Sequence, residues 1–245
     1  MASPPAPASA AAPRNCVFII SAPSGSGKTT LVRELFSLVP GLEFSISYTT
    51  RAPRGSEQNG RDYFFVSPAE FERMLAAGAF LEHACVFGNY YGTAWSFLED
   101  ARRRGRDLVL DIDVQGAAQV RERLPEAVSI FIVPPDRDTL AWRLKSRGED
   151  RPEVIAQRLG DASREIAAYN RYGYVIINDR LDESVEKLEA VVLSERARAR
   201  GLALEPRWAA LAETCRQQNA AARLAPVLRS FGLTAEETGR GETRS

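Results

Sequence analysis

Ten consecutive residues, Ser21-Ala22-Pro23-Ser24-Gly25-Ser26-Gly27-Lys28-Thr29-Thr30, constrain this chain more than any other stretch. The apolar run Cys16-Val17-Phe18-Ile19-Ile20 leads in, and Leu31-Val32-Arg33-Glu34-Leu35-Phe36, with helical spacing, leads out. Strand, glycine turn and helix in that order make a phosphate-binding loop. Backbone N–H groups freed by small residues wrap the phosphates of a nucleoside triphosphate, and the helix N-terminus adds its dipole. Residues Ala22 to Thr30 then form the cradle. Lys28 places its ammonium on the phosphates, and the Thr29 hydroxyl ligates Mg²⁺. Ala22 stands where the general motif carries glycine. Glycines that only make a turn are the alternative, and they leave the Gly-Lys-Thr ending unexplained.

The chain has 245 residues, enough for one good core, a small inserted lobe and tails. Formal net charge is +0, so no bulk field draws it to nucleic acid or a membrane surface. Basic residues must act locally. Cys16, Cys85 and Cys215 lack metal-ligand spacing and fit reduced thiols of a cytoplasmic protein. No apolar run is long enough to span a bilayer. Residues 1–14, rich in Ala and Pro, read as a disordered leader rather than a secretory signal.

Further along, short apolar runs alternate with helical patterns. Strands are expected at 16–22, 107–113, 127–133 and 174–177, and 43–50 is β-like. Helices are expected at 28–38, 95–104, 115–123, 138–145, 152–169 and 182–200. That alternation predicts an α/β fold: a parallel five-stranded sheet with helices on both faces and a phosphate-loop NTPase core. Ligands on such sheets sit beyond the carboxyl ends of the strands, where the loop, Asp111, Asp113 and Asn178 all fall. Residues 46–93 differ. They are rich in aromatics and turns, with a helix start at Ser67-Pro68-Ala69-Glu70 and a turn at Gly88-Asn89-Tyr90-Tyr91-Gly92, and read as an inserted mixed β lobe. The core is then 15–45 plus 94–200, with a charged lid near 146–154. Residues 201–245 read as an extension, partly helical or disordered.

A phosphate loop shows only that a triphosphate binds. A second phosphate needs its own cations. Arg51 and Arg54 in the lobe suit a bidentate clamp, with Tyr63 as a hydroxyl donor; two solvated arginines would look the same in sequence. Arg143, Arg147 and Arg158 suit a lid that closes over a transferring phosphoryl group, and equally a surface helix with ordinary ion pairs. Asp111 or Asp113 suits Mg²⁺ held through water, although a strand-end acid such as Asp113 also caps helices. Glu82, in an apolar strand, needs partners. A guanine edge offers two parallel donors, N1–H and N2–H₂, and Ser47 and Thr93 stand ready as further hydrogen-bonding groups; for each hydroxyl a plain turn or strand role remains open.

Several separated stretches in order carry a resemblance. They are Ser24-Gly25-Ser26-Gly27-Lys28, Ser47-Tyr48-Thr49-Thr50-Arg51, Gly60-Arg61-Asp62-Tyr63-Phe64-Phe65-Val66, Gly88-Asn89-Tyr90-Tyr91-Gly92-Thr93, Asp111-Ile112-Asp113-Val114-Gln115-Gly116, Phe131-Ile132-Val133-Pro134-Pro135, Arg147-Gly148 and Ile177-Asn178-Asp179. Over roughly residues 16–197 the chain resembles the guanylate kinase family, bacterial type. The resemblance implies transfer of a phosphoryl group from ATP to GMP, with Mg²⁺, in purine nucleotide metabolism. It implies that Lys28 and Thr29 serve ATP and Mg²⁺, the latter with Asp111. It further implies that Arg51, Arg54, Tyr63 and Tyr91 hold the GMP phosphate, and that Ser47, Glu82, Thr93 and Asp113 read guanine. Arg143, Arg147 and Arg158 would stabilise the transferred group, with Lys28 and Arg51, and Asn178 would lie near adenine. The use of dGMP and self-association to a homo-oligomer are left open. Two other classes stand beside this one: a non-catalytic protein-binding relative, against which Lys28 and the arginines count, and a sugar-phosphate kinase, against which the lobe counts.

Overall fold

The computed structural model describes residues 15–86, 88–146 and 151–234. The expected leader and residues 147–150 of the expected lid, Arg147 among them, lie outside those residues.

The first strand, β1 (Val17–Ser21), is buried along its whole length. Two crossovers place β7 (Asp107–Asp111) and β8 (Val128–Val133) on either side of it, both parallel. Short β2 (Leu42–Phe44) and β9 (Tyr174–Ile177) complete a five-stranded parallel sheet in the order β2-β7-β1-β8-β9. The apolar runs are continuous because alternate residues enter two different cores. Val17, Ile19, Leu108, Leu110, Phe131 and Val175 face one cluster. Phe18, Ile20, Val109, Ile130, Ile132 and Ile176 face the other.

Helices cover both faces. The first face takes α3 (Trp95–Arg103), α4 (Val114–Arg123), α5 (Arg137–Ser146) and α6 (Pro152–Ile166). The second takes α1 (Lys28–Leu38) and α7 (Leu181–Arg200). Most boundaries fall within a residue or two of the sequence expectation. The helix expected to run to Tyr169 stops at Ile166 and passes into a 3₁₀ turn at Tyr169–Arg171. The strand expected through Asp113 stops at Asp111, because Asp113 caps α4: its Oδ1 accepts the Gly116 N–H at 2.8 Å.

The β-like stretch at 43–50 divides between two sheets. Its start, β2, joins the core sheet. Its end, β3 (Tyr48–Thr49), opens a second sheet with β4 (Phe64–Phe65), β5 (Phe80–Val86) and β6 (Asn89–Ala94), ordered β4-β3-β6-β5. The turn expected over Gly88–Gly92 is largely strand β6. Gly88 (φ 76°) reverses the chain, and Asn89 already pairs with Val86. Phe71 of α2 (Pro68–Ala76) stacks on Phe80 and Tyr90 from behind. Ser67 caps α2 by accepting the Glu70 N–H, as its sequence predicts.

The extension is helical and packed as far as it is described. Helix α8 (Pro206–Thr214) lies on α7, and α9 (Ala221–Ser230) lies on α5. Between them the chain runs along β9: Val175 N–H donates to the Cys215 carbonyl, and Gln217 N–H to that of Gly173. Cys215 and Leu224 are fully buried.

Candidate active site

Beyond the carboxyl ends of β1 and β7 lies a cavity of about 350 Å³. Its floor is the phosphate loop: Ala22, Pro23, Ser24, Gly25, Gly27, Lys28 and Thr29. The loop can form because Gly25 (φ 90°) and Gly27 (φ 88°) adopt backbone that a side chain disfavours. Their surroundings also exclude one. A Cβ on Gly25 would meet Leu140 and Leu144 of α5 at 2.9 Å, and one on Gly27 would collide with the Asn178 carboxamide. Asn178, at the end of β9, donates Nδ2–H to the Ser26 carbonyl at 2.7 Å. Arg143 donates to the Asn178 carbonyl at 3.0 Å and makes a longer contact, 3.5 Å, with that of Ser26. Both residues therefore brace the loop from below.

Lys28 forms an ion pair with Asp111 across the cavity floor. Burial pushes the Lys28 pKa down, but the Asp111 carboxylate outweighs it and holds the ammonium above its ordinary value. Tyr63 lines the same cavity, and burial raises its phenol. Arg54 and Tyr91 line the wall above. Arg51 sits behind them, stacked on the Tyr63 and Phe65 rings at 5.3 and 5.8 Å.

The far end of the cavity is built on β5 and β6. With a period of two, Glu82, Ala84 and Val86 share one face, and the cross-strand partners of the first two, Thr93 and Tyr91, share it with them. Glu82 is buried (3% exposed), and burial raises its carboxyl to about 7. Its bonds with Thr93 act in the opposite direction, and the Asp113 carboxylate adds to the rise. Ser47 Oγ lies 3.4 Å from Thr93 Oγ1. Glu82 also approaches α4 so closely that a Cβ on Gly116 would strike its carboxylate. Gln119 pins the strand by accepting the His83 N–H at 3.2 Å and donating to its carbonyl at 2.6 Å. Arg123 donates to the Phe80 carbonyl at 2.9 Å.

Of the residues expected from sequence, the loop, Lys28, Thr29, Ser47, Arg54, Tyr63, Glu82, Tyr91, Asp111, Asp113 and Arg158 meet at this one cavity. Thr93 joins through Glu82 and Ser47. Thr30 follows in the first turn of α1. Glu165 was missed. It lines the cavity from α6, two helical turns beyond Arg158, and burial raises its carboxyl to about 7 against the pull of Lys28. The seven-residue spacing from Arg158 is the signal that could have placed it on the same face.

The guanylate kinase family model matches residues 14–195. The chain belongs to the guanylate kinase family. A guanylate kinase of Koribacter versatilis is 56% identical over 221 residues, covering 88% of this chain and 95% of that relative. One from Geobacter sulfurreducens is 50% identical over 182 residues, covering 74% and 90%. In structure, the chain is similar to a guanylate kinase from Anaplasma phagocytophilum, with a TM-score of 0.64 and 34% identity over 76% of this chain and 89% of that one. A match over 88% of the chain extends beyond residue 200, so part of the helical extension is shared with the Koribacter relative.

Among the described residues no group of three or more His, Cys, Asp or Glu is arranged to hold a metal ion. The Thr29 hydroxyl and Asp111 carboxylate beside the loop are hard oxygen donors. They fit a Mg²⁺ ion that arrives on a nucleotide and needs few protein ligands. Among the described residues no helix is long and apolar enough to cross a membrane.

Proposed function

We propose that this chain transfers the γ-phosphoryl group of ATP to the phosphate of GMP, giving ADP and GDP. One observation carries the reading: a single cavity has the phosphate loop at one end and the buried Glu82, beside Thr93, Ser47 and Asp113, at the other. A buried carboxylate with hydroxyl neighbours suits the paired N–H donors of guanine, which adenine lacks. An acceptor-phosphate oxygen attacks the γ-phosphorus in line, and the bond to the β-phosphate oxygen breaks.

The loop N–H groups and Lys28 hold the donor phosphates. Arg54, Tyr63 and Tyr91, with Arg51 behind them, hold the acceptor phosphate. Arg158 lines the same cavity and would meet the transferring group, and Arg147 would follow from the lid. Bound with ATP between Thr29 and Asp111, Mg²⁺ would neutralise charge on the phosphates. Arg143 and Asn178 act through the loop they brace, a different role from the contact with the transferred group that the resemblance implies for Arg143 and from the adenine contact it implies for Asn178. In this reading residues 46–93 are the acceptor lobe, 15–45 with 94–200 the donor core, and 146–154 the lid. The work belongs to purine nucleotide metabolism in the cytoplasm.

A panel of AMP, GMP, dGMP, CMP and UMP with ATP and Mg²⁺, read as ADP formation in a coupled assay, tests this. GMP is expected to turn over far better than AMP, CMP or UMP. Absence of GMP-dependent turnover at saturating nucleotide would overturn it.

A further inference from the structure

Glu57 has no part in the reading above, yet its carboxylate organises both lobe arginines. Its two oxygens accept from Arg51 Nη1 and Nη2, each at 2.9 Å. The oxygen on Nη1 also accepts the Arg54 backbone N–H at 2.7 Å. In return the Glu57 N–H donates to the Arg54 carbonyl at 3.0 Å, which closes the 54–57 turn. Arg51 Nη1 donates its second proton to the Ala52 carbonyl at 2.7 Å.

A guanidinium has five N–H bonds in a fixed plane. Three are used by Glu57 and the Ala52 carbonyl: the two of the end-on fork, on Nη1 and Nη2, and the outer N–H of Nη1. The remaining two, on Nε and Nη2, form the side-on edge, which matches a pair of phosphate oxygens as well as the fork does. The Tyr63 and Phe65 rings lie against this guanidinium, and the Tyr91 phenol interacts with it as well. Both tyrosines line the cavity. A phenol can accept from Arg51 and donate to a phosphate at once. Arg51 is 9% exposed, so without a carboxylate partner it would be a nearly buried, unpaired cation.

We propose that Glu57 is the positioning residue of the acceptor-phosphate clamp. It occupies the fork of Arg51 and the backbone of Arg54, and so presents the side-on edge of Arg51 and the Arg54 side chain to the incoming phosphate. It stays in place when the nucleotide binds. The opposite possibility is a stand-in anion that the phosphate must displace.

The proposal rests on Arg51 and Arg54 holding the acceptor phosphate, and the test separates the two ideas. KM for GMP and for ATP, and inhibition by guanosine, which keeps the base and lacks the phosphate, are measured for the wild type, Glu57→Ala, Glu57→Gln and Arg51→Ala. Glu57→Ala is expected to raise the KM for GMP about tenfold or more, the scale of lost charge-assisted hydrogen bonds. The KM for ATP and guanosine affinity should stay within about twofold. Glu57→Gln, which keeps the shape and one acceptor, should fall between. Guanosine binding doubles as a check that the lobe is folded. An equal loss for guanosine and GMP would reduce Glu57 to a structural role, and tighter GMP binding in Glu57→Ala would make it the displaced anion. An unchanged KM for GMP in Glu57→Ala, with Arg51→Ala impaired, defeats the proposal alone. An unchanged KM in Arg51→Ala defeats the acceptor reading beneath it.

Discussion

The two ends of the cavity are built by different means. The donor end is backbone: one loop of ten residues, fixed by glycines, packed on Leu140 and Leu144 and braced through the Ser26 carbonyl. The acceptor end is side chains, gathered from Ser47 just before β3, from β5 and β6, and from the 51–63 loop. It is held by the Arg51–Glu57 pair, aromatic stacking and a few bonds to α4. Chemistry common to every triphosphate can be served by rigid main chain. Recognition of one base requires carboxylates and hydroxyls whose identities can differ, and those sit on the smaller, more replaceable sheet.

Substitutions can probe that contrast. Lys28→Ala should act on the donor end alone, lowering kcat/KM about 10²–10³-fold, the usual cost of losing one transition-state charge donor. Guanosine affinity should be unchanged, and a parallel loss would show that the two ends are not independent. Gly27→Ala should destabilise by about 3 kcal/mol, since strained backbone and collision with Asn178 add together. Gly78→Ala, after α2 in the lobe, has a similar backbone (φ 65°) and nothing within 4 Å of a new Cβ among the described residues. It should cost only about 1 kcal/mol. Equal losses in thermal unfolding would remove the claim that the loop is the tighter structure. Glu82→Gln should weaken GMP use by about 1–3 kcal/mol, with ATP use intact; unchanged GMP kinetics would make Glu82 structural.

The pH response sharpens the same comparison. Burial raises Glu82 and Glu165 from an ordinary 4.5 to about 7, so the folded chain binds protons that the unfolded chain releases. Their stabilising contribution is full below 4.5 and is lost as pH rises through 7. Glu57 runs the other way. Its bonds to Arg51, against slight burial, lower its pKa, so its contribution is present above 4.5 and lost as pH falls through its folded value. The double variant Glu82→Gln, Glu165→Gln should flatten the decline of the melting temperature between about pH 5 and 7. An unaltered slope would mean that neither carboxyl is kept from water. In the wild type GMP affinity should rise as pH passes upward through 7, because in the proposed reading the ionised Glu82 is the form that would accept both guanine donors.

The same division decided what the sequence revealed. The loop could be read from residues 21–30 alone, because backbone geometry requires glycines at fixed positions. The core sheet was nearly as plain, since strands buried on both faces are unbroken apolar runs. The lobe was harder. Strands of two residues, β3 and β4, leave no periodicity to read, and Asn89–Gly92 resembled a turn until its pairing with β5 made it a strand. Glu82 was conspicuous as a charge in an apolar run, but its link to Thr93 depends on register, which no local pattern encodes. In the sequence Glu57 is one more polar residue in a turn-rich stretch. Its significance depends on which nitrogens of Arg51 it occupies.

The packing of the last two helices bears on how the protein is made. The segment around Cys215 runs along β9, α8 covers α7, and α9 closes over α5, one of the helices that supports the phosphate loop. Synthesis proceeds from the N-terminus at about 5–20 residues per second. Every group expected to touch a nucleotide has therefore left the ribosome tunnel before the apolar surface that backs α5 is covered. In the seconds before α9 is in place, the nascent chain would carry the proposed substrate ligands on a core not yet covered. A nucleotide bridging its two ends at that stage would act as a template for folding before it acts as a substrate.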